Sequence, residues 1–331
     1  MRYIEYKNVK DPLNLFMGMT IFSEGLIGQF CNGFIIITFF KDKDKTSFNL
    51  ICLFRAVNNF INLIFFVPNI FTLTIGGWTI LSDKSEAQFL SITMGCYVVN
   101  QWLCIVLAVN RLVALFLPIF YEKLCGFWQT LIVILLINAY QIGNMMYLLS
   151  LSIGKDIYSA INIMAPNMYV KILSDNSTTS SGLINHFSFG TLITFGIAVF
   201  LNLLSLFKIT YYYLYQFSST TEINRAKVKR NSILFFQTIL QDSFYLVDAV
   251  FMTFFNGVFR SRFGTFISYT FIWMNVHVVD GAVMVIFTER KTALKKLWQK
   301  CISMTDDYES QWVSNVSRAN AIVKSKIHHE K

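Results

Sequence analysis

The chain has 331 residues, of which 54% are hydrophobic and only 14% charged, where an ordinary soluble domain carries about 25% charged residues. Phe contributes 33 residues and Pro only 4, which excludes one large soluble core and points to a polytopic helical membrane protein. The net charge of +9 is spread between apolar runs, so it reads as a topology signal, and no nucleic-acid partner is expected.

Residues 1–13 are polar, lack a cleavage-site pattern and are expected to form an extracellular segment, with the first apolar run acting as a signal anchor. A helix needs about 20 mostly apolar residues to cross a bilayer. Seven stretches meet this, at roughly 14–40, 48–74, 89–116, 128–150, 187–215, 233–256 and 264–287. No strand-type alternation and no internal repeat competes, so the fold class is an all-α membrane protein, a seven-transmembrane helix bundle over 14–287. After it, Leu294, Leu297, Trp298, Cys301 and Ile302 recur at helical spacing opposite Lys291, Lys295, Lys296 and Lys300. This predicts an amphipathic juxtamembrane helix over 288–303 lying in the interface. Cys301 reads either as a palmitoylation site or as a plain buried thiol. Residues 304–331 read as a disordered cytoplasmic tail.

Placing the N-terminus outside puts Lys41, Lys43, Lys45, Arg111, Lys123, Arg225, Lys227, Lys229 and Arg230 in the inner loops. The outer loops then hold Lys84, Lys155, Lys171, Arg260 and Arg262. The excess favours N-terminus out and C-terminus in. The same orientation puts the sequon Asn176-Ser177-Thr178 in the longest outer loop, so Asn176 is a glycosylation candidate. None of the six cysteines falls in a segment placed outside, so no disulfide framework is expected.

The third span ends in VNRLVALFLPIFYEKL (109–124), in which Arg111 interrupts an apolar run and Pro118 and Tyr121 follow. Arginine is costly in hydrocarbon, so Arg111 either snorkels to the inner edge or faces a protein interior. The second span contains LFRAVNNFINLIFFVP (53–68), the sixth FFQTILQDSFYLVDAVF (235–251) and the seventh FIWMNVHVVDGAVMVIF (271–287). Asn110-Arg111 with Pro118 and Tyr121 resembles the Asp-Arg-Tyr segment of G-protein-coupled receptors. It differs in having Asn110 for the acid and Leu112 for the tyrosine. In order and spacing the four stretches together resemble the nematode serpentine chemoreceptors, the class X type in particular, over about 15–290. The resemblance implies a GPCR-like bundle in the plasma membrane and sensory cilia, signalling through a heterotrimeric G protein. The common receptor disulfide, the Asn-Pro-x-x-Tyr of the seventh span and a proline in the sixth are all absent from the sequence.

Ionisable groups at membrane depth are functional candidates by default, with helix–helix hydrogen bonding as the alternative. Arg55, Asn58 and Asn62 share one face of the second span, and Gln237, Gln241 and Asp248 one face of the sixth. Arg55, Asn58, Asp242, His277 and Asp280 are read as an intramembrane polar network. Arg55 and Asp280 lie at equal depth, about 10 Å below the inner edge, with Asp242 as the competing partner. Asn110, Arg111, Pro118 and Tyr121, with the basic third inner loop Arg225, Lys227, Lys229 and Arg230, are read as the G-protein contact. Tyr97, Gln101, Asp248 and Trp273 are read as a ligand pocket in the outer half, a mostly aromatic site suited to a small organic molecule. No catalytic constellation, cofactor motif or metal-ligand set is found, and no enzymatic activity, cofactor or metal is expected. The competing function is a seven-span ligand-gated channel or transporter, although no pair of broken spans supports a transporter. Whether the receptor forms an oligomer stays open.

Overall fold

The computed structural model describes residues 11–42, 45–76, 83–151, 178–215, 222–255 and 261–287. Seven helices in it are long and apolar enough to cross a membrane. They are α1 (Pro12–Lys41), α2 (Ser47–Gly76), α3 (Asp83–Phe116), α4 (Phe127–Leu151), α5 (Thr178–Tyr215), α6 (Glu222–Phe254) and α7 (Ile272–Phe287). No strand occurs among the described residues. The expected juxtamembrane helix 288–303, Cys301, Asn176, the tail 304–331 and all but the end of the N-terminal segment lie outside the described residues.

Local chemistry sets the helix ends. The Asp11 carboxylate accepts from the Leu13 amide at 3.0 Å and Pro12 opens the first turn, where its missing N–H costs nothing. Several helices run past the apolar stretches. At 1.5 Å per residue the 33 residues of α6 reach about 50 Å, well beyond a hydrocarbon core about 30 Å thick. This corrects one expectation: Arg225, Lys227, Lys229 and Arg230 do not sit in a loop but in the first turns of α6. The stretch has no Gly or Pro to stop the helix, and its charges can be solvated beyond the bilayer. The seventh segment also departs from a plain helix. A short α-turn (Arg262–Thr265) leads into π-helical turns (Phe266–Phe271) before α7 begins.

Helix α3 runs through the middle of the bundle and touches α2, α4, α5 and α6, while α1 packs on α2 and α7. Small residues permit the closest approaches. A Cβ on Gly28 would stand 2.6 Å from Leu63 Cδ1 and 3.3 Å from the Val278 Cα, so α1 meets α7 almost backbone to backbone and takes the Leu63 side chain of α2 against its own backbone. Large apolar side chains such as Phe30, Trp128, Leu136 and Phe207 point outward. That arrangement suits a surface solvated by lipid rather than water. The polar side chains turn inward instead, and they define the site.

Candidate functional site

Three layers of buried polar groups stack along the bundle interior. The first is at the end where α3 terminates. The Asn110 side chain donates to Ser47 Oγ at 3.1 Å and accepts from the Tyr121 hydroxyl at 3.2 Å, and the two hydroxyls lie 2.7 Å apart. Asn110 therefore ties α3 to the start of α2 and to the short helix Tyr121–Cys125. Pro118 opens the 3-10 turn that swings Tyr121 back over this corner, and its carbonyl accepts from the Tyr121 backbone amide. Arg111, one residue on, faces the opposite way. Its guanidinium donates to the backbone carbonyls of Leu234 and, at 3.3 Å, Phe235, and lies over the Phe48 ring at 5.8 Å. No carboxylate among the described residues stands at ion-pair distance from it. The latch between α3 and α6 is thus a charge held by peptide dipoles.

The second layer is the polar core at mid-depth. Arg55, fully buried, donates from Nη2 to Asp280 Oδ1 at 2.6 Å and from Nε to Oδ2 at 3.2 Å, a bidentate pair. Asn59 donates to Asp280 Oδ2 at 2.6 Å and Gln241 to Oδ1 at 2.7 Å, which fills the remaining acceptor capacity. Asp242 stands 3.6 Å from Arg55 Nη1 and accepts from Asn202 at 3.2 Å. It is a second, more distant carboxylate rather than an equal competitor. The Arg55 guanidinium also lies 5.5 Å from the Tyr245 ring centroid.

The amides extend the core. Asn58 donates to Asn100 Oδ1 at 3.0 Å, and Asn100 donates to Asn59 Oδ1 at 2.7 Å. His277 Nδ1 lies 2.7 Å from the same Asn59 oxygen, and its Nε2 lies 3.3 Å from the Asn62 amide nitrogen. The partners assign the tautomer: Nδ1–H donates to a carbonyl oxygen and Nε2 accepts from an amide. Both ring nitrogens are occupied, and no cluster of three or more metal-ligating side chains is found among the described residues. Sequence reasoning left Asn59 and Asn100 out of the network. Asn59 could have been found, since it lies one helical turn from Arg55 on the same face. Asn100 carries no such marker, because nothing in α3 shows which of its turns meets α2.

The third layer lies toward the other end of the bundle. Tyr97 is 14 residues before Arg111, about 21 Å along α3. Its hydroxyl donates to Asp248 Oδ2 at 2.5 Å. Its ring lies 6.2 Å from Trp273, 5.9 Å from Tyr245 and 6.0 Å from His277. Trp273 in turn stands against Phe66 and the His277 ring, both at 4.5 Å. Gln101, one turn below Tyr97, accepts from the Thr191 hydroxyl at 3.2 Å. Tyr97, Asp248 and Trp273 thus form one aromatic-and-carboxylate cluster, and Gln101 borders it toward α5. Phe266, from the π-helical turns, packs into the same cluster. The side chains of Arg225, Lys227, Lys229 and Arg230 lie outside the described residues.

The family model described as serpentine type 7TM GPCR chemoreceptor Srx matches residues 22–288. The chain belongs to this family. The match covers every membrane-spanning helix, all but the first turns of α1 included. It identifies a multi-pass membrane protein of a chemoreceptor family rather than an enzyme family. No curated protein matches the chain closely enough to add to this assignment. Along this Srx chemoreceptor the three layers run from the aromatic cluster of Tyr97 and Trp273 at one end, through the Arg55 polar core, to the Asn110 and Arg111 contacts at the other.

Proposed function

We propose that this Srx chemoreceptor is a G-protein-coupled chemosensory receptor of the plasma membrane and sensory cilia. It binds a small organic ligand through the Tyr97, Gln101, Asp248 and Trp273 end and signals through a heterotrimeric G protein at the Arg111 end. The orientation is N-terminus out, as the distribution of Lys and Arg favours. The observation that supports this most is the Arg111 latch. A buried guanidinium held by α6 backbone carbonyls, not by a carboxylate, is released when the two helices separate, which uncovers a cation and a cleft together. The basic first turns of α6, Arg225 to Arg230, extend that cytosolic surface.

The test is a screen of volatile and soluble compounds by calcium imaging in cells expressing the receptor. Hits are repeated in Arg111→Ala at matched surface expression. The reading expects responses in the wild type and none in the variant, with ligand binding retained. A seven-span channel would conduct in both.

A further inference from the structure

The two best-defined buried carboxylates in the bundle are satisfied very differently. Asp280 receives an arginine and two amides. Asp248 is as deeply buried, at 0% exposure, yet receives only the Tyr97 hydroxyl, on Oδ2. Among the described residues its Oδ1 has no hydrogen-bond partner and no cation pairs with it. Arg55 cannot serve. It is committed to Asp280 and Asp242, and Asp242 lies six residues, or about 9 Å, away from Asp248 along α6.

The Tyr97 hydroxyl donates to Oδ2, so the carboxyl acts as an acceptor there and leaves Oδ1 open. An ionised carboxylate held by one hydroxyl inside the membrane is expensive unless something supplies the opposite charge, and a cationic ligand would supply it. The side chains around it favour a particular kind of partner. The Tyr97, Tyr245 and Trp273 rings stand together beside it, with the Tyr97 ring centroid 5.9 Å from that of Tyr245 and 6.2 Å from that of Trp273, and aromatic rings attract cations and tolerate their methyl or methylene groups. A neutral hydroxyl would satisfy the free oxygen but not the charge. An anion would meet repulsion.

We propose that Asp248, set in the aromatic cluster of Tyr97 and Trp273, is the counter-ion for a protonated amine, so that this receptor's ligands are small aryl- or alkyl-ammonium compounds. The ammonium donates to Oδ1 and lies against the aromatic faces, while Tyr97 holds Oδ2 and fixes the carboxylate's orientation. This rests on reading the cluster as the ligand pocket.

The test uses the full-length receptor in lipid nanodiscs and follows thermal unfolding with 2-phenylethylamine, its N,N,N-trimethyl derivative, a series of primary to tertiary alkylamines, and 2-phenylethanol as the neutral match. Amines are expected to raise the wild-type midpoint and the alcohol is not. In Asp248→Asn the amine response is expected to weaken about thirtyfold or more, the scale of losing one partner of a buried charge pair. The unliganded Asp248→Asn receptor is expected to be as stable as wild type or more so, because an uncompensated charge has gone. Asp280→Asn should be less stable. The proposal is overturned if no amine shifts the wild type, if the shift survives in Asp248→Asn, or if Asp248→Asn unfolds as early as Asp280→Asn. Should the alcohol bind as well as the amine, and Trp273→Ala abolish both, the pocket stands and the ammonium assignment falls.

Discussion

Arg55 faces two carboxylates, Asp280 and Asp242, and single substitutions around it should rank in a definite order. Removing one partner of a buried, bidentate ion pair costs about 3–5 kcal/mol, whereas an interhelical amide hydrogen bond in a membrane averages about 0.6 kcal/mol. Arg55→Ala and Asp280→Ala are therefore expected to cut surface expression severely. Asn58→Ala, which removes one contact to Asn100, should have little effect. Asp242→Ala should fall between, because its oxygen stands at 3.6 Å from Arg55 rather than 2.6 Å. Flow cytometry of a surface tag checks the order, and an Asp242 variant worse than the Asp280 variant would reverse the roles assigned to the two carboxylates. The swap Arg55→Asp with Asp280→Arg should recover only part of the loss, since the amide nitrogens of Asn59 and Gln241 would then face a guanidinium until they flip. Equal depth, together with the adjacency of the second and seventh spans that the family resemblance implies, singled out Arg55 and Asp280 from the sequence. The donors that surround Asp280 were not legible in the same way, because a buried Asn or Gln gives no sign of which of its faces meets which helix.

At the scale of the elements, the seven apolar stretches locate the spans well because the bilayer imposes their length. They locate the helix ends poorly because nothing apolar marks where a helix stops in water. The α6 start at Glu222 and the α5 start at Thr178 both lie about ten residues before the apolar runs begin. The π-helical turns Phe266–Phe271 were likewise invisible, since they depend on local crowding rather than on residue pattern. Tight packing makes its own prediction here. Gly28→Ala should lower the thermal midpoint in detergent, because the new methyl meets Leu63 at 2.6 Å, Val278 Cγ2 at 2.8 Å and the Val278 Cα at 3.3 Å, and the backbone cannot step aside. Gly143→Ala on α4 has nothing within 4 Å and should be neutral or gain a few tenths of a kcal/mol in helix stability. Equal loss in both would mean that the α1 contacts with α2 and α7 are looser than described. A third variant, Tyr121→Phe, removes the hydroxyl shared by Ser47 and Asn110. It is expected to preserve surface expression while changing the amplitude of signalling, as read in the calcium assay.

Across the whole molecule, Tyr97 of the proposed ligand site and Arg111 of the proposed latch stand about 20 Å apart on α3, with the Arg55 core between them. The core binds α2, α3, α5, α6 and α7 to one another through Arg55, Asn100, Asn202, Gln241 and Asp280. Along α6, Gln241 and Asp242 lie between Asp248 and the Leu234 and Phe235 carbonyls that hold Arg111. These contacts form a continuous chain along which the proposed coupling would run. The measurement that tests this most directly is heterotrimeric G-protein dissociation, followed by resonance energy transfer in cells bearing wild-type or Arg111→Ala receptor at matched surface levels and exposed to compounds active in the calcium screen. Dissociation in the wild type, and none in Arg111→Ala although the compound still binds, is the predicted result. A calcium response without G-protein dissociation, or equal dissociation in both receptors, would contradict it.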